Sequence, residues 1–351
     1  MIEHYPRHYA TARANFVDAC GGGVQSHELK ARGPDGEALH MDICVAGPSD
    51  ARDVLVLTSG VHGVELFAGS RCQVALLRDP ARVPPGTKVV YIHAANPWGA
   101  AHVRRNNELN VDLCRNFYDT QAPPGRNEDY ELVHELLLQA GESGMEGHEA
   151  RSALTAIAAD IGERRYNEAV MGGQYRYRDG FAFGGFAPSE SRKVMEQWLL
   201  EHTASADRVV MLDLHTGLGE HGESTVVAMQ QSEALAEVRG WYGERLVAPA
   251  ETDAADFPEV RGHTTPGYER LLADKTVRSV IVEFGTYAHD RIMTALLADH
   301  WSEHSGIHPA HQALIKDELL ECFSPVSKDW IDAVESSFDA VLSETLEGMA
   351  G

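Results

Sequence analysis

Basic charge is scarce in this chain: 30 lysines and arginines stand against 53 aspartates and glutamates, a formal net charge of −23. Such a surface repels phosphate backbones and anionic lipid headgroups unless a local basic patch intervenes. The basic runs are no longer than pairs, such as Arg104-Arg105 and Arg164-Arg165, so neither nucleic acid nor a membrane is expected as a partner. Cysteine is sparse as well. The five present, Cys20, Cys44, Cys72, Cys114 and Cys322, are odd in number, widely separated and without a CxxC pair. That argues against a disulfide framework or a thiolate zinc site, and for a reducing compartment. No stretch approaches ~18 consecutive apolar residues, and the opening MIEHYPRHYATARANF lacks a basic segment followed by an apolar core. A cytoplasmic protein is expected. Internal repeats and low-complexity tracts are also missing.

What is present is enough apolar material, 43% of 351 residues, for a substantial core. Residues 1–20 read as helical and stop at Gly21-Gly22-Gly23. Residues 26–31 and 38–45 alternate around Pro34-Asp35-Gly36, the signature of an antiparallel edge hairpin. From there, apolar runs at 53–58 and 88–93 flank a helical segment at about 65–77, a pattern of parallel strands with crossover helices. The alternation resumes at 208–214, 224–229, 232–247 and 277–284, and residues 331–346 form an amphipathic helix. The stretch between, roughly 119–190, opens on Pro123-Pro124-Gly125 and is rich in glycine toward its end. We read the whole chain, 1–351, as one α/β catalytic domain carrying a helical and loop insertion at about 119–190.

Three apolar runs each deliver a chemically capable residue to a strand end, where open α/β sheets bind ligands. The first is followed by Ser59-Gly60-Val61-His62-Gly63-Val64-Glu65, an imidazole and a carboxylate three residues apart. The second ends on His215 and the third on Glu283. A catalytic zinc takes three protein ligands, His or carboxylate, and keeps a further position open. His62, Glu65 and His215 meet that requirement. Glu283, flanked by Val280-Ile281-Val282 and Phe284, is the expected general base, its proton affinity raised by an apolar setting.

With these residues in order, the chain resembles the zinc metallocarboxypeptidases and the related aspartoacylase and succinylglutamate desuccinylase branch. That pattern is HxxE, then Asp-x-Asn-Arg, then a single His, then a catalytic Glu. Its second element is present as Asp112-Leu113-Cys114-Arg115. The resemblance implies a three-layer α/β/α fold on a mixed, mostly parallel sheet, with one zinc per chain held by His62, Glu65 and His215. It implies that Asp112 orients the first histidine, that Arg115 grips a substrate carboxylate, and that Arg105, or less favourably Arg104, stabilises the oxyanion. Cys114 departs from the pattern, since a thiol replaces an amide donor poorly; it is expected to pack. Tyr268 and Tyr287 are both possible counterparts of a mobile tyrosine that precedes the catalytic glutamate in the family. The glycine-rich loop at 172–185 could form a specificity wall, and His221, His263, His289, His300 and His304 receive no ligand role. The expected activity is carboxypeptidase-like hydrolysis of an amide bond by zinc-activated water on a small or short peptide substrate, with an N-acyl amino acid deacylase or amidase of the aspartoacylase type as the first alternative and a non-catalytic zinc-binding module as the alternative from another class.

Overall fold

The computed structural model describes Tyr5 and residues 7–351. Eight strands form one sheet: β1 (Val24–Arg32), β2 (Ala38–Ala46), β3 (Asp53–Ser59), β4 (Thr87–His93), β5 (Arg208–Gly217), β6 (Ser224–Ala228), β7 (Leu246–Val247) and β8 (Thr276–Gly285), in the order β1-β2-β4-β3-β5-β8-β6-β7. β4, β3, β5 and β8 run parallel at its centre, while β1, β2 and β6 join antiparallel to their inner neighbours. The fold is therefore the expected α/β class with a mixed, mostly parallel sheet. The central strands are uninterrupted apolar runs because parallel strands are covered on both faces.

Side-chain alternation divides the sheet into two buried faces. On one, Leu55, Leu57, Leu212, Val282 and Phe284 pack against the helices Tyr9–Ala19, Leu66–Arg78, Ser232–Tyr242 and Lys328–Ala350. On the other, Val54, Val56, Val209 and Met211 meet the helices Glu190–His202 and Thr264–Leu271. These are the two outer layers. The C-terminal helix is anchored to the sheet: Ser327 caps its start, and the buried Trp330 Nε1 donates to Gly285 O at 2.8 Å.

Some expectations shift. The first helix is Tyr9–Ala19, and the expectation for residues 1–4 and 6 lies outside the described residues. β6 is antiparallel to β8, because the chain returns from β5 through a short turn too brief for a parallel crossover. The 119–190 stretch holds the helices Tyr130–Ala140, Met145–Ile161 and Glu163–Met171. They share an apolar cluster with two helices that patterning had not separated, His289–Ser305 and Pro309–Phe323. Leu137 and Leu154 from the insertion are buried there with Ile292, Leu296 and Phe323.

Candidate active site

The three strand ends converge as their patterns require. His215 and Glu283 are direct partners across the parallel β5–β8 pair. His62 lies three residues past β3 and caps the single turn Gly63–Glu65, which runs into the helix Leu66–Arg78. That turn sits tightly on neighbouring backbone: a Cβ on Gly63 would fall 2.1 Å from the carbonyl carbon of Gly99. The amides of Gly63 and Val64 donate to the carbonyls of Arg105 and Arg104 at 3.2 and 2.9 Å. Asn96 secures the same crossing, accepting from Gly99 N and donating to Arg105 O. This close packing brings the arginine pair beside the HxxE turn.

His62 Nδ1, His215 Nδ1 and the Glu65 carboxylate face one another. His62 Nδ1 lies 2.9 Å from Glu65 Oε1, His215 Nδ1 lies 2.9 Å from Glu65 Oε2, and the two nitrogens are 3.2 Å apart. The outer nitrogens meet other carboxylates: His62 Nε2 is 3.1 Å from Asp112 Oδ1, and His215 Nε2 is 3.3 Å from Asp213 Oδ1. All five residues are buried. Asp112 also accepts from Cys114 N at 2.9 Å and Arg105 Nε at 3.3 Å. Asp213 accepts in addition from Thr264 Oγ1 at 3.0 Å.

This donor set fits a zinc ion. Four-coordinate zinc with ligand bonds of about 2.0–2.1 Å separates its donors by roughly 3.3 Å, close to the spacing seen. One shared cation would satisfy both Nδ1 atoms and the Glu65 carboxylate together. Each imidazole has a carboxylate behind it, the arrangement that fixes the tautomer of a metal-bound histidine. His62, Cys114 and His215 also bring donor atoms within 4.8 Å of one another. Cys114 Sγ, however, lies 3.9 Å from the outer Nε2 of His215, on the far side from Glu65. The Glu65 carboxylate lies nearer both Nδ1 atoms, at 2.9 Å from each.

Without a cation, the carboxylates draw protons onto the rings. Burial and Arg105 lower the proton affinity of His62, but Glu65, Cys114 and Asp112 outweigh them and set it at about 10. His215 is likewise raised against the burial penalty, by Asp213 and Cys114. Burial opposes ionisation of Glu65 and Asp112. The histidines nonetheless hold Glu65 below its ordinary range, and Arg115, Arg105 and His62 do the same for Asp112. The pocket thus attracts positive charge. Glu283 differs from both: burial pushes its carboxyl up, His215 pulls it down, Glu65 adds to the rise, and it stands at about 7. Leu218 N donates to its Oε2 at 3.5 Å.

The remaining expected residues separate clearly. Arg105 lines the cleft, with Nη1 3.1 Å from Glu65 Oε1, whereas Arg104 turns away to Asp299 and Glu303, each at 2.8 Å. Arg115 lines the cleft too, but its Nε and Nη2 donate to Met171 O at 2.9 and 2.7 Å. Cys114 is packed and buried. Tyr268 and Tyr287 do not line the cleft; Tyr268 packs on Phe117, and Tyr287 donates to Glu321 at 2.8 Å. Within the 172–185 loop, Tyr175 donates to Arg115 O at 2.7 Å, a buttress and not a wall of the cleft. Asp213 was missed by sequence reasoning, although Asp-x-His in a strand places both side chains on one face. His263 and His289, given no role, line the cleft.

The cleft opens to solvent between the sheet edge, the helix His289–Ser305 and the loop between residues 252 and 262. Residues 5–337 match the family described as "Protein of unknown function (DUF2817)". No curated protein matches the chain. Solved structures similar to it include a carboxypeptidase A from Helicoverpa armigera, at 12% identity, TM-score 0.47, covering 94% of this chain and 72% of that one. A succinylglutamate desuccinylase from Chromobacterium violaceum aligns at 12% identity and TM-score 0.40, covering 89% and 73%. The murein-tripeptide amidase MpaA from Escherichia coli O157 aligns at 15% identity and TM-score 0.40, covering 84% and 92%.

Proposed function

The chain belongs to the DUF2817 family, and we propose that it is a zinc-dependent hydrolase of amide bonds in short peptides or small N-acyl compounds. The observation that carries this reading is the convergence of His62 Nδ1, His215 Nδ1 and Glu65 within 3.2 Å of one another, with Glu283 across the strand pair.

His62, Glu65 and His215 would hold the metal, with Asp112 and Asp213 fixing the two rings. Zinc bound there would polarise the scissile carbonyl and ease deprotonation of a water. Glu283 takes the proton from that water as its oxygen bonds to the carbonyl carbon, and later delivers it to the amine as the C–N bond breaks. A carboxyl with a proton affinity near 7 suits both transfers. Arg105, held in the cleft by Glu65 and Asp112, supplies positive charge where the carbonyl oxygen becomes anionic. Arg115 borders the cleft with Nε and Nη2 donating to Met171 O and Nη1 3.8 Å from Asp112 Oδ1, so it is committed largely to the protein's own acceptors. The products are a carboxylic acid and an amine.

The test is a product screen. Zinc-loaded protein is incubated with mixed peptides and N-acyl amino acids, and products are identified by mass spectrometry. Amide cleavage that a chelator abolishes and added zinc restores supports the reading. Zinc-loaded protein that cleaves nothing in either set speaks for the binding-module alternative instead.

A further inference from the structure

Beyond the metal ligands, the cleft is walled by apolar side chains. Ile281 lies two residues before Glu283 and pairs with Val227 on β6, so both share the sheet face that carries Glu283. Met229 continues that row past the end of β6, and Met171, Met293 and Phe257 close the space opposite, from the helix Glu163–Met171, the helix His289–Ser305 and the loop between residues 252 and 262. Asn167 Nδ2 holds that loop to the insertion by donating to Ala255 O at 3.0 Å. Met171, Met229, Met293 and Phe257 are only half-buried and line the cleft. Apolar surface left facing a concave site marks a place for a ligand, and unbranched methionines adapt to varied apolar shapes.

The cleft has little to offer an anion. Among the described lining residues the permanent cations are Arg105 and Arg115. Arg105 is ion-paired with Glu65 and Asp112, and Arg115 spends two donors on Met171 O. Cys114 stands beside Arg115 with a thiol that turns to His215, where an amide could have supplied a donor. At the mouth, Asp256 is negative and lies 3.8 Å from His289.

We propose that this wall receives a bulky, uncharged apolar group of the substrate, and that recognition does not depend on a substrate carboxylate. The inference rests on the site being an amide hydrolase, and it narrows the substrates to amides bearing a medium-length alkyl or aryl group next to the scissile bond. Met229 and Met293 determine that preference.

Binding and turnover separate this claim from the hydrolase reading. Octanamide, butanamide and succinamic acid are titrated by calorimetry into zinc-loaded full-length Glu283→Gln protein. Each methylene buried tightens binding by up to about fourfold. Octanamide is therefore expected to bind at least about tenfold more tightly than butanamide, and succinamic acid no more tightly than butanamide. Met229→Glu or Met293→Glu in the same background, each checked for folding by circular dichroism, should shrink the octanamide advantage to less than about threefold. Octanamide binding no better than butanamide, or succinamic acid binding best, overturns the proposal. So does an advantage untouched in both folded variants. In parallel, wild-type enzyme is offered N-octanoyl- and N-succinyl-glycinamide. Preference for the octanoyl compound supports the proposal and preference for the succinyl compound overturns it. Selective octanamide binding with neither compound hydrolysed removes the hydrolase reading while leaving the apolar site standing.

Discussion

At the scale of single residues, the site depends on a division of labour between carboxylates that differ only in surroundings. Glu65 faces both histidines and stays ionised; Glu283, across the strand pair, is pushed up to about 7 by burial. On the proposed mechanism, Glu283→Gln removes the proton acceptor and keeps the metal ligands. It should retain zinc, measured by elemental analysis, and lose about 10²-fold or more in kcat; unchanged turnover would remove Glu283 as base. Asp213 works at one remove, through the far nitrogen of His215. Asp213→Asn should weaken zinc binding by roughly 10- to 100-fold, read by competition with a chromogenic chelator, and an unchanged affinity would deny it that role. The places of His215 and Glu283 at strand ends, and of the HxxE turn after β3, could be read from the apolar runs, because buried parallel strands are apolar throughout and a polar residue beyond them stands out. Asp213 hid inside the same run. The choice between Arg104 and Arg105 was not legible, since it turns on Asp299 and Glu303, partners supplied by a helix far along the chain.

At the scale of elements, the HxxE turn and the loop carrying both arginines form one unit, joined where Gly63 meets Gly99. Gly63→Ala places a methyl 2.1 Å from backbone that has no side chain to rotate away. The expected cost is about 1–3 kcal/mol, seen as a lower urea midpoint with an unchanged slope, together with weaker zinc binding as the turn shifts. Normal stability and normal zinc affinity would show that the crossing has slack. Strand order near the site could be anticipated from apolar runs and the β1–β2 turn signal. The reversed direction of β6 could not, because five residues, four of them buried, carry no mark of the neighbour they pair with. The helices His289–Ser305 and Pro309–Phe323 escaped notice for a similar reason. Their apolar residues serve a cluster shared with the insertion, so neither shows a clean stripe on its own.

At the scale of the whole molecule, two buried histidines contribute to the response to acid. His93 is stacked on Phe16 at 4.4 Å and lies 2.9 Å from Ser70 Oγ; burial lowers its proton affinity to about 3. His300, buried beside Phe181, also stands at about 3, for the same first cause with His304 and Arg104 adding to it. In the unfolded chain a histidine titrates at roughly 6.5. Below that value the unfolded state binds protons that the folded state refuses, so stability falls as pH drops from about 6.5 toward 3. Each group contributes a slope of about 1.4 kcal/mol per pH unit in that window and nothing above it. His93→Phe is expected to flatten urea-unfolding stability between pH 6 and pH 4 by about that amount, whatever its effect at pH 7.5. An unaltered slope would mean His93 titrates normally.

The two-faced sheet, the covering helices and the insertion together bury a site whose donors suit a divalent ion, and that ion is the most direct thing to measure. Full-length protein purified without chelator from zinc-supplemented culture, analysed by inductively coupled plasma mass spectrometry beside His215→Ala, should contain about one zinc per chain, and the variant should contain less than about a tenth of that. A wild-type protein free of metal, or a variant that keeps its full complement, would contradict the assignment of His62, Glu65 and His215 as the ligands.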